Sequence, residues 1–99
     1  MGNIEFENRC IELVHDYIRE CGDIVYFDEI FIVWMSKVLQ NNKALVSTTL
    51  DNDTRYYEIT YNGDKDEIYF DCYSKDVNRT YVKDKHNLCF ELKSENYKR

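Results

Sequence analysis

Between Asn3 and Cys21 the apolar residues Phe6, Cys10, Leu13, Val14, Tyr17, Ile18 and Cys21 return every three or four positions, while Glu5, Arg9, Glu12, Asp16, Arg19 and Glu20 fall opposite them. That spacing follows the turn of an α-helix and predicts one amphipathic helix over about 3–21. Asn3 is placed to cap its start with a side-chain oxygen, and Gly22 to end it in a left-handed conformation that other residues resist. His15 falls on the polar side, where a solvated ring is expected rather than a ligand or a base.

After the helix the period drops to 2 and β-branched and aromatic residues take over, which predicts a sheet over about 28–74. From Glu29 to Leu39 both alternating sets are apolar near the centre, with Ile30, Ile32 and Trp34 on one side and Phe31, Val33 and Met35 on the other. Such a strand is covered on both faces or offers one face to a partner. Gln40 to Lys43 supplies turn chemistry, and Ala44 to Leu50 reads as the returning strand. Thr54–Tyr61 and Glu67–Tyr73 form a second hairpin around Asn62-Gly63. A two-residue turn there would set Glu58 against Glu67. A four-residue loop, which puts Ile59 opposite Ile68, Tyr57 opposite Phe70 and Glu58 opposite Tyr69, is favoured by its cross-strand pairs. In either register Tyr57, Ile59, Tyr61, Ile68, Phe70 and Cys72 share the buried side, and Tyr56, Glu58, Thr60, Tyr69, Asp71 and Tyr73 share the other.

The expected fold is therefore α+β: an N-terminal amphipathic helix packed on an antiparallel β-meander of about four strands, in one domain spanning 1–99. The basic tail from about 75 to 99 has room for an extra C-terminal hairpin, Thr80–Lys83 with Leu88–Leu92 around DKHN, and a frayed end at SENYKR.

Charge sharpens this picture. The chain has 99 residues and a net charge of -6, yet Ile30 to Leu50 contains no acid at all and only Lys37 and Lys43 as bases. The simplest expectation is a central hairpin too deep in the sheet to tolerate carboxylates, since an unpaired buried acid is costly. If Lys37 and Lys43 converge on one rim beside the turn, they make the single basic spot on an acidic protein. Met1 to Glu29 and Asp51 to Asp76 each hold eight acids, whereas Val77 to Arg99 holds six bases and three acids. An acidic body repels phosphate backbones, so direct nucleic-acid binding is not expected. No apolar run is long enough to span a bilayer and the first residues do not read as a signal peptide, so no membrane association is expected and the expected location is cytoplasmic.

Chemistry is sparse. The four cysteines, Cys10, Cys21, Cys72 and Cys89, include no CxxC pair and read as free buried thiols, so no metal site is expected. No phosphate-binding glycine loop, nucleophile elbow or HExxH is present. DNDTRYYE at 51–58 lacks the glycine and the glutamate spacing of a calcium loop and reads as an acidic turn. The carboxylates cluster where water screens them, which gives no catalytic residues, no cofactor and no expectation of an enzyme. What remains is surface. Tyr56, Glu58, Tyr69, Asp71 and Tyr73 combine rigid aromatic area with negative charge and are the expected protein-binding surface. Trp34, Lys37, Gln40, Asn41 and Lys43, with Ser47 and Thr48 nearby, are the alternative site: lysine for a phosphate and tryptophan to stack on the base of a signalling nucleotide.

The two blocks VWMSKVLQNNKALVST and YYEITYNGDKDEIYFDCY, in that order, resemble a family of small uncharacterised proteins of phages and prophages of Gram-positive bacteria, over about 28–73. That resemblance implies a short accessory gene product in the cytoplasm of a host bacterium, and it carries no catalytic residues. In that setting the first expectation is a non-catalytic module that inhibits a host protein, a defence or nucleic-acid-processing component, through its acidic, tyrosine-rich surface. A small-ligand binding or sequestering protein and a virion structural or assembly component are the alternatives. A homo-oligomer is compatible with either.

Overall fold

The computed structural model describes residues 1–51, 53–83 and 90–97. Helix α1 (Asn3–Glu20) lies on one face of a four-stranded antiparallel sheet in the order β1-β2-β3-β4, formed by Ile30–Val38, Asn41–Thr48, Arg55–Asn62 and Glu67–Ser74. A separate two-stranded hairpin, β5 (Val77–Lys83) with β6 (Phe90–Tyr97), follows. The expected α+β meander is the observed architecture.

Phe6, Cys10, Val14 and Ile18, spaced four apart, are all fully buried and form the helix's contribution to the core. They meet Ile30, Ala44, Val46, Tyr57, Ile59 and Tyr61 on the inner face of the sheet. The helix ends as its sequence predicts: Gly22 takes φ +87, its N–H reaches Arg19 O, and the Asp23 N–H reaches Ile18 O. These two bonds satisfy carbonyls of the last turn. Its start differs. Gly2 is the N-cap, in an extended conformation and without a side-chain cap, because its carbonyl already accepts the Phe6 N–H and so makes Asn3 the first helical residue. His15 also departs from expectation. Its side chain is only 14% exposed, because Phe27 in the 3-10 turn Phe27–Glu29 stacks on the ring at 4.1 Å.

The β1–β2 connection is tighter than QNNK suggests. Only Leu39 and Gln40 form the turn, Leu39 takes φ 57, and pairing resumes at Val38↔Asn41. The returning strand thus starts at Asn41, three residues earlier than Ala44. The larger correction lies within β1. The ladder shifts between Ile32 and Trp34, so Val33 is an extra residue and the alternation inverts after it. Ile30, Ile32 and Met35 consequently face the helix, while Phe31, Val33 and Trp34 stand exposed. β1 is also an edge strand, so depth in the sheet does not account for its lack of acid.

The β3–β4 loop is four residues long, as favoured, but is displaced by one along each strand. Asn62 pairs with Glu67, Ile59 with Phe70, Tyr57 with Cys72 and Glu58 with Asp71. Parity is preserved, so the two sets of side chains keep their faces. Like charges now oppose each other at Glu58 and Asp71, which Lys43 offsets through its Nζ, 2.8 Å from Glu58 Oε1. Asn62 Oδ1 accepts the N–H groups of Asp64 and Lys65, and Asp66, at φ 54, takes the left-handed position.

Gly63 serves a different need from the left-handed turn that Asn-Gly suggests. Its N–H donates to Asn41 Oδ1, and an added Cβ would lie 2.2 Å from Gln40 O and 2.7 Å from Gln40 Cβ. Here two hairpin turns press backbone to backbone. Gly63→Ala is expected to cost about 1–2 kcal/mol, because rigid backbone must move to admit the methyl. A urea midpoint unchanged from that of the parent protein would refute this close-approach role.

The expected C-terminal hairpin is present and longer than anticipated, with β6 running through the SENY segment that was expected to fray. Its DKHN turn lies outside the described residues, as does Cys89. The thiols of Cys10, Cys21 and Cys72 are all free; Cys10 is buried, Cys72 half-buried and Cys21 exposed rather than buried. Cys72 and Cys21 both lie within hydrogen-bonding reach of the Tyr17 phenol, and these bonds push its pKa up to about 12.

Candidate protein-binding face

Alternation in β1 to β4 carries one set of side chains away from the helix, onto a face that no other element of the described chain covers. The ladder aligns these residues in rows. Trp34, Leu45, Glu58 and Asp71 lie in one, and Ser36, Lys43, Thr60 and Tyr69 in the next. Tyr56 and Tyr73 are partners in a third, their rings stacked at 5.2 Å and 18°. The five residues expected as a protein-binding surface, Tyr56, Glu58, Tyr69, Asp71 and Tyr73, are therefore brought together.

The electrostatics of this face follow from its neighbours. The Asp71 carboxylate first, and then Glu58, raise the pKa of Tyr73. The Tyr69 hydroxyl donates to Glu67 Oε2 at 2.9 Å, and that bond raises its pKa. Lys43 is held protonated by its hydrogen bond to Glu58 and by the charge of that carboxylate. The Tyr69 and Tyr73 phenols thus stay neutral in a field of carboxylates, a surface suited to cationic groups.

The other half of the face was foreseen as an apolar side of β1 open to a partner, but with Met35 where Trp34 belongs. Phe31 is 44% exposed, Trp34 45% and Val33 50%, and they adjoin the acidic tyrosine half across β2. The signal was the apolar character of both alternating sets in 30–35, which implies a second covered face; the bulge decided which residues form it.

The alternative ligand set is not assembled. Trp34 and Lys43 share the outer face, but Lys37 is paired with Asn42 in the helix-facing phase, so the two lysines do not converge. Lys43 is engaged by Glu58, Asn41 Oδ1 by the Gly63 N–H, and Gln40 sits beneath Gly63. Of Ser47 and Thr48, Thr48 is engaged, its Oγ1 donating to Asp53 Oδ2 at 2.8 Å. The basic spot expected there does not form.

A cleft of about 320 Å³ elsewhere is lined by Asp23, Ile24, Leu50, Asp51, Asp53 and Arg55. Its charges are largely spent on one another: Arg55 Nε lies 2.9 Å from Asp53 Oδ1, and an Arg55 terminal nitrogen lies 3.4 Å from Asp23 Oδ2. Among the described residues no three His, Cys, Asp or Glu side chains converge in a way that could hold a metal ion. Nor is any described helix long and apolar enough to cross a membrane.

No curated protein and no solved structure matches the chain. Residues 7–83 match a protein family, covering all but the first turn of α1, the four-stranded sheet and β5. The chain belongs to DUF6275, a family of unknown function.

Proposed function

We propose that the protein is a non-catalytic binding module whose outer sheet face docks on another protein. The observation that carries this reading is an uncovered face on which exposed aromatics adjoin carboxylates. Large contiguous apolar patches on a soluble domain mark interaction sites, and tyrosine and tryptophan supply rigid contact area at low entropic cost. Glu58 and Asp71 make a basic surface the natural counterpart. In the phage or prophage setting suggested by the resemblance over 28–73, that counterpart is a host defence or nucleic-acid-processing protein in the bacterial cytoplasm. Such proteins present basic surfaces to their own substrates, and the acidic face would occupy one of them.

The test is tagged protein recovered from infected host cells, beside the Glu58→Lys/Asp71→Lys variant, with bound proteins identified by mass spectrometry. A specific host protein recovered with the parent chain and lost from the variant, whose circular dichroism is unchanged, is the expected result. Equal recovery by both would sink the reading.

A further inference from the structure

Tyr17 is where the helix, the sheet and two thiols meet. Its ring packs edge-on against Tyr57 at 5.9 Å and tilted against Phe70 at 5.3 Å, and the Arg55 guanidinium lies over it at 5.8 Å. The thiols approach this contact from its two sides. Cys21 follows Tyr17 by one helical turn, and its N–H donates to the Tyr17 carbonyl at 3.1 Å. Cys72 is paired with Tyr57 across the β3–β4 ladder and lies two residues from Phe70 on the same side of β4. Both sulfurs reach the Tyr17 hydroxyl.

The two thiols differ in access, as a pair that reacts in sequence needs. Cys21 is exposed and Cys72 half-buried. The Arg55 guanidinium is within hydrogen-bonding reach of the Cys21 sulfur, so a donor and a positive charge stand beside the thiol that solvent meets first. Cys10, by contrast, is fully buried with its pKa pushed up to about 12 by that burial, and stays protonated and shielded. The Tyr57 hydroxyl is fully buried and has no hydrogen-bond partner among the described residues. It lies within electrostatic range of Cys72, Tyr17 and Arg55, which leaves the cluster a donor for an oxygen carried transiently on sulfur. The helix packs chiefly over β1, β2 and β3, so β4, an edge strand, is the part of the sheet that it holds least.

We propose that Cys21 and Cys72 form a redox pair, which hydrogen peroxide converts to an intramolecular disulfide that ties the end of α1 to β4. The Cys21 thiolate attacks one peroxide oxygen, the O–O bond breaks, and the departing hydroxide takes the thiol proton as water, leaving a sulfenic acid. The Cys72 sulfur then attacks the Cys21 sulfur, the S–O bond breaks, and a second water leaves with the Cys72 proton. Two thiols thus lose two electrons and two protons to one peroxide. A disulfide needs its Cα atoms within about 7 Å of each other. Cys21 lies beyond the last helical residue, Glu20, and just before Gly22, so its approach to Cys72 disturbs only the terminal bonds of the helix and turns the Tyr17 hydroxyl aside. The pair sits on the helix side of the sheet, and the inference does not depend on the docking reading of the outer face.

The experiment treats the full reduced chain with a small molar excess of hydrogen peroxide, alkylates the remaining thiols under denaturing conditions, and maps an unreduced digest by mass spectrometry. The expected product is a single chain lighter by about 2 Da before alkylation, with a Cys21–Cys72 linked peptide, an alkylated Cys10 and full reversal by dithiothreitol. Oxidation is expected to raise the thermal midpoint by about 10 °C, since the bond closes a loop of roughly 50 residues. Cys72→Ser is expected to keep the reduced fold and to accumulate Cys21 sulfenic acid, trapped by dimedone, several-fold above the parent protein. Cys21→Ser is expected to leave Cys72 unlinked. A Cys21 that stays unmodified, a bond through Cys89 or between two chains in place of Cys21–Cys72, or a midpoint that does not rise on oxidation would each overturn the proposal. Capture of a host protein by the reduced chain involves neither thiol and reports on the docking reading separately.

Discussion

Asp53→Ala is expected to destabilise the protein by about 3 kcal/mol at neutral pH, the low end of what is lost when one member of a buried ion pair is removed. The Asp53 side chain is 3% exposed and uses both oxygens. Oδ1 accepts the Arg55 backbone N–H at 3.0 Å and the Arg55 Nε–H at 2.9 Å, and Oδ2 accepts the Thr48 hydroxyl at 2.8 Å. Those bonds join the end of β2 to the start of β3. Truncation leaves the Arg55 guanidinium with Asp23 at 3.4 Å as its remaining carboxylate.

The pH dependence follows with a definite sign. Burial pushes the Asp53 carboxyl up, but the hydrogen bonds from Arg55 and Thr48 and the Arg55 charge outweigh it, and the net pKa is lowered. A group depressed on folding stabilises the protein above its unfolded pKa, about 4 for aspartate, and that contribution is lost as pH falls through the folded value. The gap in urea midpoint between the parent protein and Asp53→Ala should therefore be widest near neutrality and shrink below about pH 4. A gap of constant width from neutral to strongly acid conditions would show that the loss comes from packing rather than charge.

How far the sequence disclosed this arrangement depended on whether the deciding interactions were local. Phe6, Cys10, Val14 and Ile18 are positioned by one helix's own period, and the parity of Tyr57, Ile59 and Tyr61 survives any even shift in pairing. Both features were legible. The bulge at Val33 was not, because an extra residue depends on how β1 meets β2 and leaves no mark in a run where every residue is apolar. The β3–β4 register was misjudged for a related reason. Like charges at Glu58 and Asp71 argue against it until Lys43, on a third strand, is brought within 2.8 Å of Glu58. Stacking of Tyr56 on Tyr73 then adds a favourable pair on the same face. The face was foreseen correctly in its tyrosine half, where alternation is strict, and with Met35 in place of Trp34 in its β1 half, where the bulge inverts it. For the same reason Lys37 and Lys43 looked convergent along the sequence although pairing sends them to opposite sides.

Asn42 is the residue whose burial the sequence least suggested, and its replacement is expected to have the largest stabilising effect. As part of QNNK it read as turn chemistry, yet the two-residue turn places it in β2 opposite Lys37 and Tyr61. It is fully buried, and among the described residues neither its Oδ1 nor its Nδ2 has a hydrogen-bond partner. A buried polar group without a partner costs about 1–3 kcal/mol, and an apolar side chain of similar shape removes that cost. Asn42→Leu, close in shape and on the buried side of the sheet beside Tyr61, is thus expected to raise stability by about 3 kcal/mol. For a domain of this size that corresponds to roughly 10–20 °C in thermal midpoint. Asn42→Ala should gain less, because it removes the unpaired amide but leaves space behind. The order of midpoints, leucine above alanine above the parent, isolates the amide's contribution from packing. If both variants instead melt below the parent protein, the amide is held by a group that stabilises it. Asn42 would then be a polar element of the fold that fixes how β1 and β3 register on β2, rather than an uncompensated one.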